Sequence, residues 1–185
     1  MNTLLLTHGA GSNSNAALLV AIENALTGAG MEVLRYDLPF RQKRPHGPPR
    51  PSDAAEDRAG LREQVRALRA RTQGPVFLGG VSYGGRQASM LVSEEPELVD
   101  GLLLLSYPLH PPGKPDRPRT SHLPDLRAPV LFVHGTRDPF GSIAEIEAAI
   151  RLIPSRTRLV AIEGAGHDLK GAATKVATAF QEFFA

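Results

Sequence analysis

Six short apolar runs alternate with helical patterns, and this alternation restricts the chain more than any other feature. The runs are Thr3–Thr7, Glu32–Tyr36, Val76–Gly79, Gly101–Ser106, Val130–His134 and Arg158–Ile162. Each is short enough for a buried strand and too short for a buried helix. Between them, Ala16–Ala29 places Leu18, Leu19, Ile22, Ala25 and Leu26 on one face, with Gly28 and Gly30 as stop signals. Ser52 is positioned to cap a helix whose apolar face is Leu61, Val65 and Leu68. Gly84–Ser93 is a further helix, ending before Pro96. Ser142 with Glu145 is a capping box for a helix carrying Ile143, Ile146, Ala149 and Ile150, and Leu169–Phe184 closes the chain with Val176, Phe180 and Phe183 or Phe184 buried. Strands separated by helices imply a parallel sheet covered on both faces, an α/β architecture with right-handed crossovers.

The third run leads into Leu78-Gly79-Gly80-Val81-Ser82-Tyr83-Gly84-Gly85, and a helix-forming stretch follows. Gly80-Val81-Ser82-Tyr83-Gly84 fits the nucleophile-elbow pattern G-x-S-x-G. The pattern has a steric basis: a serine on a sharp strand-to-helix turn needs neighbours without side chains, so that the backbone can pass closely. The following helix directs its N-terminal amides at the serine. The bland alternative is a glycine-rich β-to-α turn without chemistry.

A serine becomes a useful nucleophile when a base takes its proton, and the base is held by a carboxylate. In elbow-type enzymes the chain order is nucleophile, acid, histidine. Asp138 follows the fifth run in a tight turn, and His167 follows the sixth in Gly164-Ala165-Gly166-His167. Both lie at strand C-terminal ends, where ligands bind in open α/β sheets. The bland readings are a turn aspartate at Asp138, and at His167 a surface-loop histidine or half of an His-Asp metal pair with no further ligands. Asp168 reads as a cap of the last helix. Oxyanion donors are expected from the amide of Tyr83 and from the first loop, Thr7-His8-Gly9-Ala10-Gly11-Ser12, at Ala10 with Gly11 as the alternative. His8 is expected to order that loop and His134 to bond locally. His46 and His122 fall in polar loops, and His110, in the second proline-rich loop, reads as structural, with a place in the pocket wall as its alternative.

Gly9-Ala10-Gly11-Ser12-Asn13-Ser14, with Asp37 ending the next strand, offers a rival dinucleotide-binding reading. Ser14 replaces its third glycine, and the rival leaves Ser82, Asp138 and His167 without a role.

Composition narrows the rest. At 185 residues, 42% hydrophobic and 22% charged, the chain can bury a real core. The net charge of +2 is small and says little about partners, and no nucleic-acid partner is expected. Ten of the 21 Lys and Arg lie between Arg35 and Arg71, either as a solvated face or as a patch attracting anionic substrates. No cysteine is present, which removes disulfides and thiolate chemistry and suits a reducing, cytoplasmic setting. No secretory signal and no membrane span are expected. Two loops, Phe40–Pro51 and Pro108–Pro129, are long and proline-rich. They should supply pocket walls, and Pro111-Pro112-Gly113-Lys114-Pro115 should be stiff and extended.

Taken together, His8-Gly9-Ala10-Gly11, the elbow, Gly135-Thr136-Arg137-Asp138 and Gly166-His167 resemble an α/β-hydrolase over nearly the whole length. The likeness is to a small member without a cap domain, of the dienelactone-hydrolase-like and testis-expressed hydrolase-like branch, whose segment is similar to Tyr107-Pro108-Leu109-His110-Pro111-Pro112-Gly113-Lys114-Pro115. The resemblance implies Ser82 as nucleophile, Asp138 as acid, His167 as base and no cofactor or metal. Because the first loop follows the very first strand, the two leading strands of the usual sheet must be absent. The expected fold is therefore one domain over residues 1–185, with six parallel strands in the order 2-1-3-4-5-6. Dienelactone hydrolases use a cysteine that this chain lacks, so dienelactones are not the implied substrate. The expected activity is hydrolysis of a small ester or thioester. The alternative is a non-catalytic interaction module on the same scaffold. Acyl preference and oligomeric state are not legible.

Overall fold

A computed structural model describes residues 1–185. Its strands are β1 (Thr3–Thr7), β2 (Glu32–Tyr36), β3 (Val76–Val81), β4 (Gly101–Leu105), β5 (Val130–Gly135) and β6 (Thr157–Ile162). Its helices are α1 (Ala17–Thr27), α2 (Pro39–Lys43), α3 (Ala54–Arg71), α4 (Tyr83–Glu94), α5 (Ile143–Ile150) and α6 (Ala173–Phe184). All neighbouring strands pair in parallel, in the order β2-β1-β3-β4-β5-β6, as expected. The order reverses at β1, so β1 and β3 lie side by side with Thr7 opposite Gly80. No helix is long and apolar enough to cross a membrane.

Alternation along each strand divides the core into two layers. Leu5, Leu102, Leu104, Val130 and Phe132 join α3, α4 and α5 on one face. Leu4, Leu6, Leu103, Leu105, Leu131 and Val133 join α1 and α6 on the other. Each of these strand side chains is at most 2% exposed, and full burial of such a side chain contributes about 1.5–3 kcal/mol. The sheet centre is thus a rigid platform for the loops at its C-terminal edge.

Four local expectations need correction. Ser52 caps nothing: it is exposed, within a 3₁₀ turn over Pro51–Asp53 that Asp53 closes by accepting the Arg50 N–H at 2.7 Å, and α3 starts without a side-chain cap. Helix α2 interrupts the first proline-rich loop, started by Pro39, whose fixed φ suits a first helical position. The segment from Pro111 is not extended. Lys114 N–H bonds Pro111 O at 3.0 Å, with Gly113 at φ 70°, the backbone of a tight turn with proline then glycine at its centre. Helix α6 starts at Ala173, and Asp168 instead accepts the Lys170 N–H at 3.2 Å, closing a local turn.

Eight of the ten basic side chains of this segment pair with acids, most of them outside it, and Arg41 and Arg50 do not. Arg35 pairs with Glu23, Lys43 with Glu56, Arg44 with Asp53, Arg58 and Arg62 with Glu94, Arg62 and Arg66 with Glu95, Arg69 with Asp100, and Arg71 with Glu32. Arg58, Arg62 and Arg66 thereby tie α3 to the end of α4.

Buried imidazoles make stability depend on pH. Burial holds the pKa of His8 and His134 below the usual value. Burial, followed by the Arg86 charge, pushes His122 down to about 4. These groups stay neutral in the folded chain while the unfolded chain takes up protons below about pH 6.5. Stability should therefore be full above that pH and fall as pH drops towards 4, by about 1.4 kcal/mol per pH unit for each proton bound only by the unfolded chain. Urea titrations across pH 8 to 4.5 should show this fall, with a shallower slope in His122→Gln. A flat profile would contradict it.

Candidate active site

One residue makes the turn between β3 and α4. Ser82 has φ 50° and ψ −117°, a conformation that costs a non-glycine residue about 1–3 kcal/mol. The surroundings impose it. Ser82 N–H donates to Leu105 O at 2.8 Å, and Ser82 O accepts the Arg86 N–H at 2.9 Å. A Cβ on Gly84 would lie 2.3 Å from His8 O, and one on Gly80 would lie 2.4 Å from Gly85 N. The glycines of the motif are thus required by backbone approaching backbone.

Asp138 and His167 arrive from the ends of β5 and β6. Arg137 N–H donates to Ala165 O at 2.9 Å, and Gly164 N–H to Thr136 Oγ1 at 2.9 Å, so the two loops are laced together. His167 Nδ1–H donates to Asp138 Oδ2 at 2.7 Å, and His167 Nε2 lies 2.8 Å from Ser82 Oγ. Asp138 has a fully buried side chain and also accepts the Phe140 N–H at 2.9 Å. Three residues separated by 56 and 29 positions therefore form one hydrogen-bonded line.

The first loop completes the surroundings. His8 Nδ1–H donates to Gly9 O at 2.8 Å, and its Nε2 accepts the Leu38 N–H at 3.1 Å, a pattern that needs the neutral ring. Asp37 accepts the Ser14 N–H at 2.6 Å, so the acid of the rival dinucleotide reading closes its own loop instead. Ala10 lines the same cavity as Ser82 and Tyr83, and Gly11 does not. As the first residue of α4, Tyr83 has an N–H with no carbonyl one turn behind it in the helix.

Several contributors escaped the sequence reading. Arg41 donates to Ser12 O at 2.8 Å and Ala10 O at 2.9 Å, holding the first loop by its carbonyls. Asp57, buried on α3, accepts the Tyr83 hydroxyl at 2.7 Å and the Phe40 N–H at 2.9 Å. Burial raises its pKa, and these two bonds oppose the rise. Phe140 stacks on the His167 ring at 4.2 Å between centroids. None of these has a spacing signature, because each depends on how separate elements pack. His134 bonds locally as expected, donating to Gly141 O at 2.8 Å beside Asp138. His110 lies away from Ser82, bonded to Pro111 O at 2.8 Å. His122 is half-buried against Ser89 Oγ at 2.8 Å, which its polar loop did not suggest.

Two cavities flank Ser82. One of about 500 Å³ opens onto it, walled by Pro49, Arg50 and Pro51 of the first proline-rich loop and by Pro108 and Arg119 of the second. A larger one of about 600 Å³ lies beside Val81 and Asp168, between the start of α1 and the turn before α6, and is mostly apolar.

Residues 1–183 match the family of alpha/beta hydrolase domains. The chain belongs to the alpha/beta hydrolase family. Its fold is similar to that of the dienelactone hydrolase of Anabaena variabilis, at 27% identity and TM-score 0.79, over 100% of this chain and 85% of that one. It is also similar in fold to Est1E of Butyrivibrio proteoclasticus, at 19% identity and TM-score 0.75, over 98% of this chain and 86% of that one. A stretch of 48 residues is 52% identical to part of the polyketide synthase ThaQ of Burkholderia thailandensis, covering 26% of this alpha/beta hydrolase and 2% of that protein. This chain thus corresponds to only a small part of that curated relative.

Proposed function

We propose that the chain is a serine hydrolase that cleaves a small carboxylic ester or thioester through an acyl-enzyme. The observation that carries this reading is the line from Ser82 Oγ to His167 Nε2 at 2.8 Å and from His167 Nδ1 to Asp138 at 2.7 Å, beside an open cavity. Ser82 Oγ attacks the carbonyl carbon as its proton passes to His167 Nε2. Asp138 holds the ring and stabilises the imidazolium. The carbonyl oxygen takes the negative charge and is held by the amides of Tyr83 and Ala10. The bond to the leaving oxygen or sulfur breaks as His167 returns the proton to it. Water then attacks the acyl carbon, giving its proton to His167. The acid leaves, and Ser82 regains its proton. A cavity of about 500 Å³ is within the range of small-molecule sites.

The test is hydrolysis of short p-nitrophenyl esters by the purified chain, followed from the first milliseconds. A burst of p-nitrophenol near one equivalent, or steady turnover that depends on Ser82, is expected. No release above that of Ser82→Ala would overturn the reading.

A further inference from the structure

The cavity that opens onto Ser82 is lined by Arg50, Arg86 and Arg119, and no carboxylate lines it. The arginines of α3, by contrast, pair with acids, among them Glu94, Glu95 and Asp100. Arg86 and Arg119 take part in no ion pair. They also act on each other: burial first, then the Arg86 charge, lowers the proton affinity of Arg119. Two cations are thus held together at a partly desolvated wall with nothing to offset them.

Further donors are left over at the same wall. Gln87 is fully buried and lines the cavity. Its Oε1 accepts from Arg58 at 2.9 Å, and its Nε2 has no partner. Arg86 Nε is buried without a partner as well. Buried donors are ordinarily satisfied, so an unmatched amide and guanidinium at one wall call for an acceptor. Arg119 is held in place rather than loose. Its N–H bonds Leu109 O at 2.7 Å, its carbonyl accepts the Tyr107 hydroxyl at 2.6 Å, and its Nη1 donates to Pro108 O at 3.1 Å. That leaves the rest of a planar donor fork, which suits an oxyanion.

We propose that the substrate of the Ser82 site carries a second, anionic group, a carboxylate or a phosphate, bound by Arg86, Arg119 and the Gln87 amide. The site then acts on half-esters or phosphorylated esters in preference to neutral ones. This rests on the reading of Ser82 as the acylated residue, but its binding test does not.

Binding is measured first, in Ser82→Ala, where no turnover confuses it. Calorimetric titration compares monomethyl glutarate, neutral dimethyl glutarate and inorganic phosphate. The expected result is that monomethyl glutarate or phosphate binds at least about tenfold tighter than the neutral diester and weakens as salt is raised. The preferred anion identifies the source. Arg119→Gln and Arg86→Gln should each remove about tenfold or more of that preference, and Arg119→Lys should restore part of it. The two arginines lie on different elements, so misfolding of one variant leaves the other to decide. Turnover of p-nitrophenyl hemiglutarate against p-nitrophenyl butyrate should show the same preference in the intact chain. Equal affinity for the neutral diester, or no measurable binding of either anion, would overturn the proposal. Anion binding without hydrolysis of either ester would sustain the anion site and contradict the hydrolase reading alone.

Discussion

Replacing His167 with alanine should lower p-nitrophenyl ester turnover by about 10⁴–10⁶-fold, with the chain still folded. The reason is geometric. Serine is a weak nucleophile at neutral pH, and the nitrogen positioned to take its proton is His167 Nε2, 2.8 Å away. The imidazole is partly exposed and its main packing contact is the stacked Phe140 ring, so its loss leaves the two core layers untouched. Asp138→Asn should cost less than His167→Ala, on the order of 10⁴-fold, because the base survives in a poorly held tautomer. Steady-state kinetics beside thermal denaturation check both. Turnover of His167→Ala within tenfold of the parent would contradict the relay.

The second large effect is expected where no polar chemistry occurs. Gly84→Ala adds one methyl group, which would meet His8 O at 2.3 Å and the Thr7 methyl at 2.8 Å. A carbonyl oxygen in a loop held by Arg41 and Leu38 cannot rotate away as a flexible side chain would. Helix α4 or the first loop must move instead, at about 1–3 kcal/mol of stability. Movement alters the separation of the Tyr83 and Ala10 amides, and a displacement of about 1 Å at a reacting centre can cost about 10²-fold in turnover. Both losses should therefore appear together. Gly11→Ala is the stability control, since a methyl group there meets nothing within 4 Å. It should hold or slightly raise the unfolding free energy, because it restricts the unfolded chain. Unchanged turnover and stability in Gly84→Ala would mean that the close approach of elbow and first loop is not a constraint.

The sheet was readable because its signals are local. Leu102 to Leu105 and Val130 to Val133 are unbroken apolar runs, and parallel strands buried on both faces produce such runs. The strand order followed from the resemblance to the α/β-hydrolase sheet, with the first loop after β1 showing that its two leading strands are absent. Ser82, Asp138 and His167 were legible as candidates because each sits at a turn with its own small-residue signature. Their supports were not. Asp57 reaches Tyr83 from a helix 26 positions earlier, and Arg41 reaches Ala10 from 31 positions later. Contacts of that kind depend on how helices settle on the sheet, which periodicity does not encode. The ion pairs of the basic segment were hidden for the same reason: its partners Glu94, Glu95 and Asp100 lie outside it in sequence. At Pro111–Lys114 the prolines favour an extended segment, but Gly113, with its positive φ, turns the backbone.

Treating the chain with a fluorophosphonate and mapping the adduct by peptide mass spectrometry tests the central claim most directly. One equivalent of label on Ser82, blocked by heat unfolding and absent from Ser82→Ala, is the predicted result. Label on any other residue with Ser82 unmodified, or equal labelling of Ser82→Ala, would contradict it.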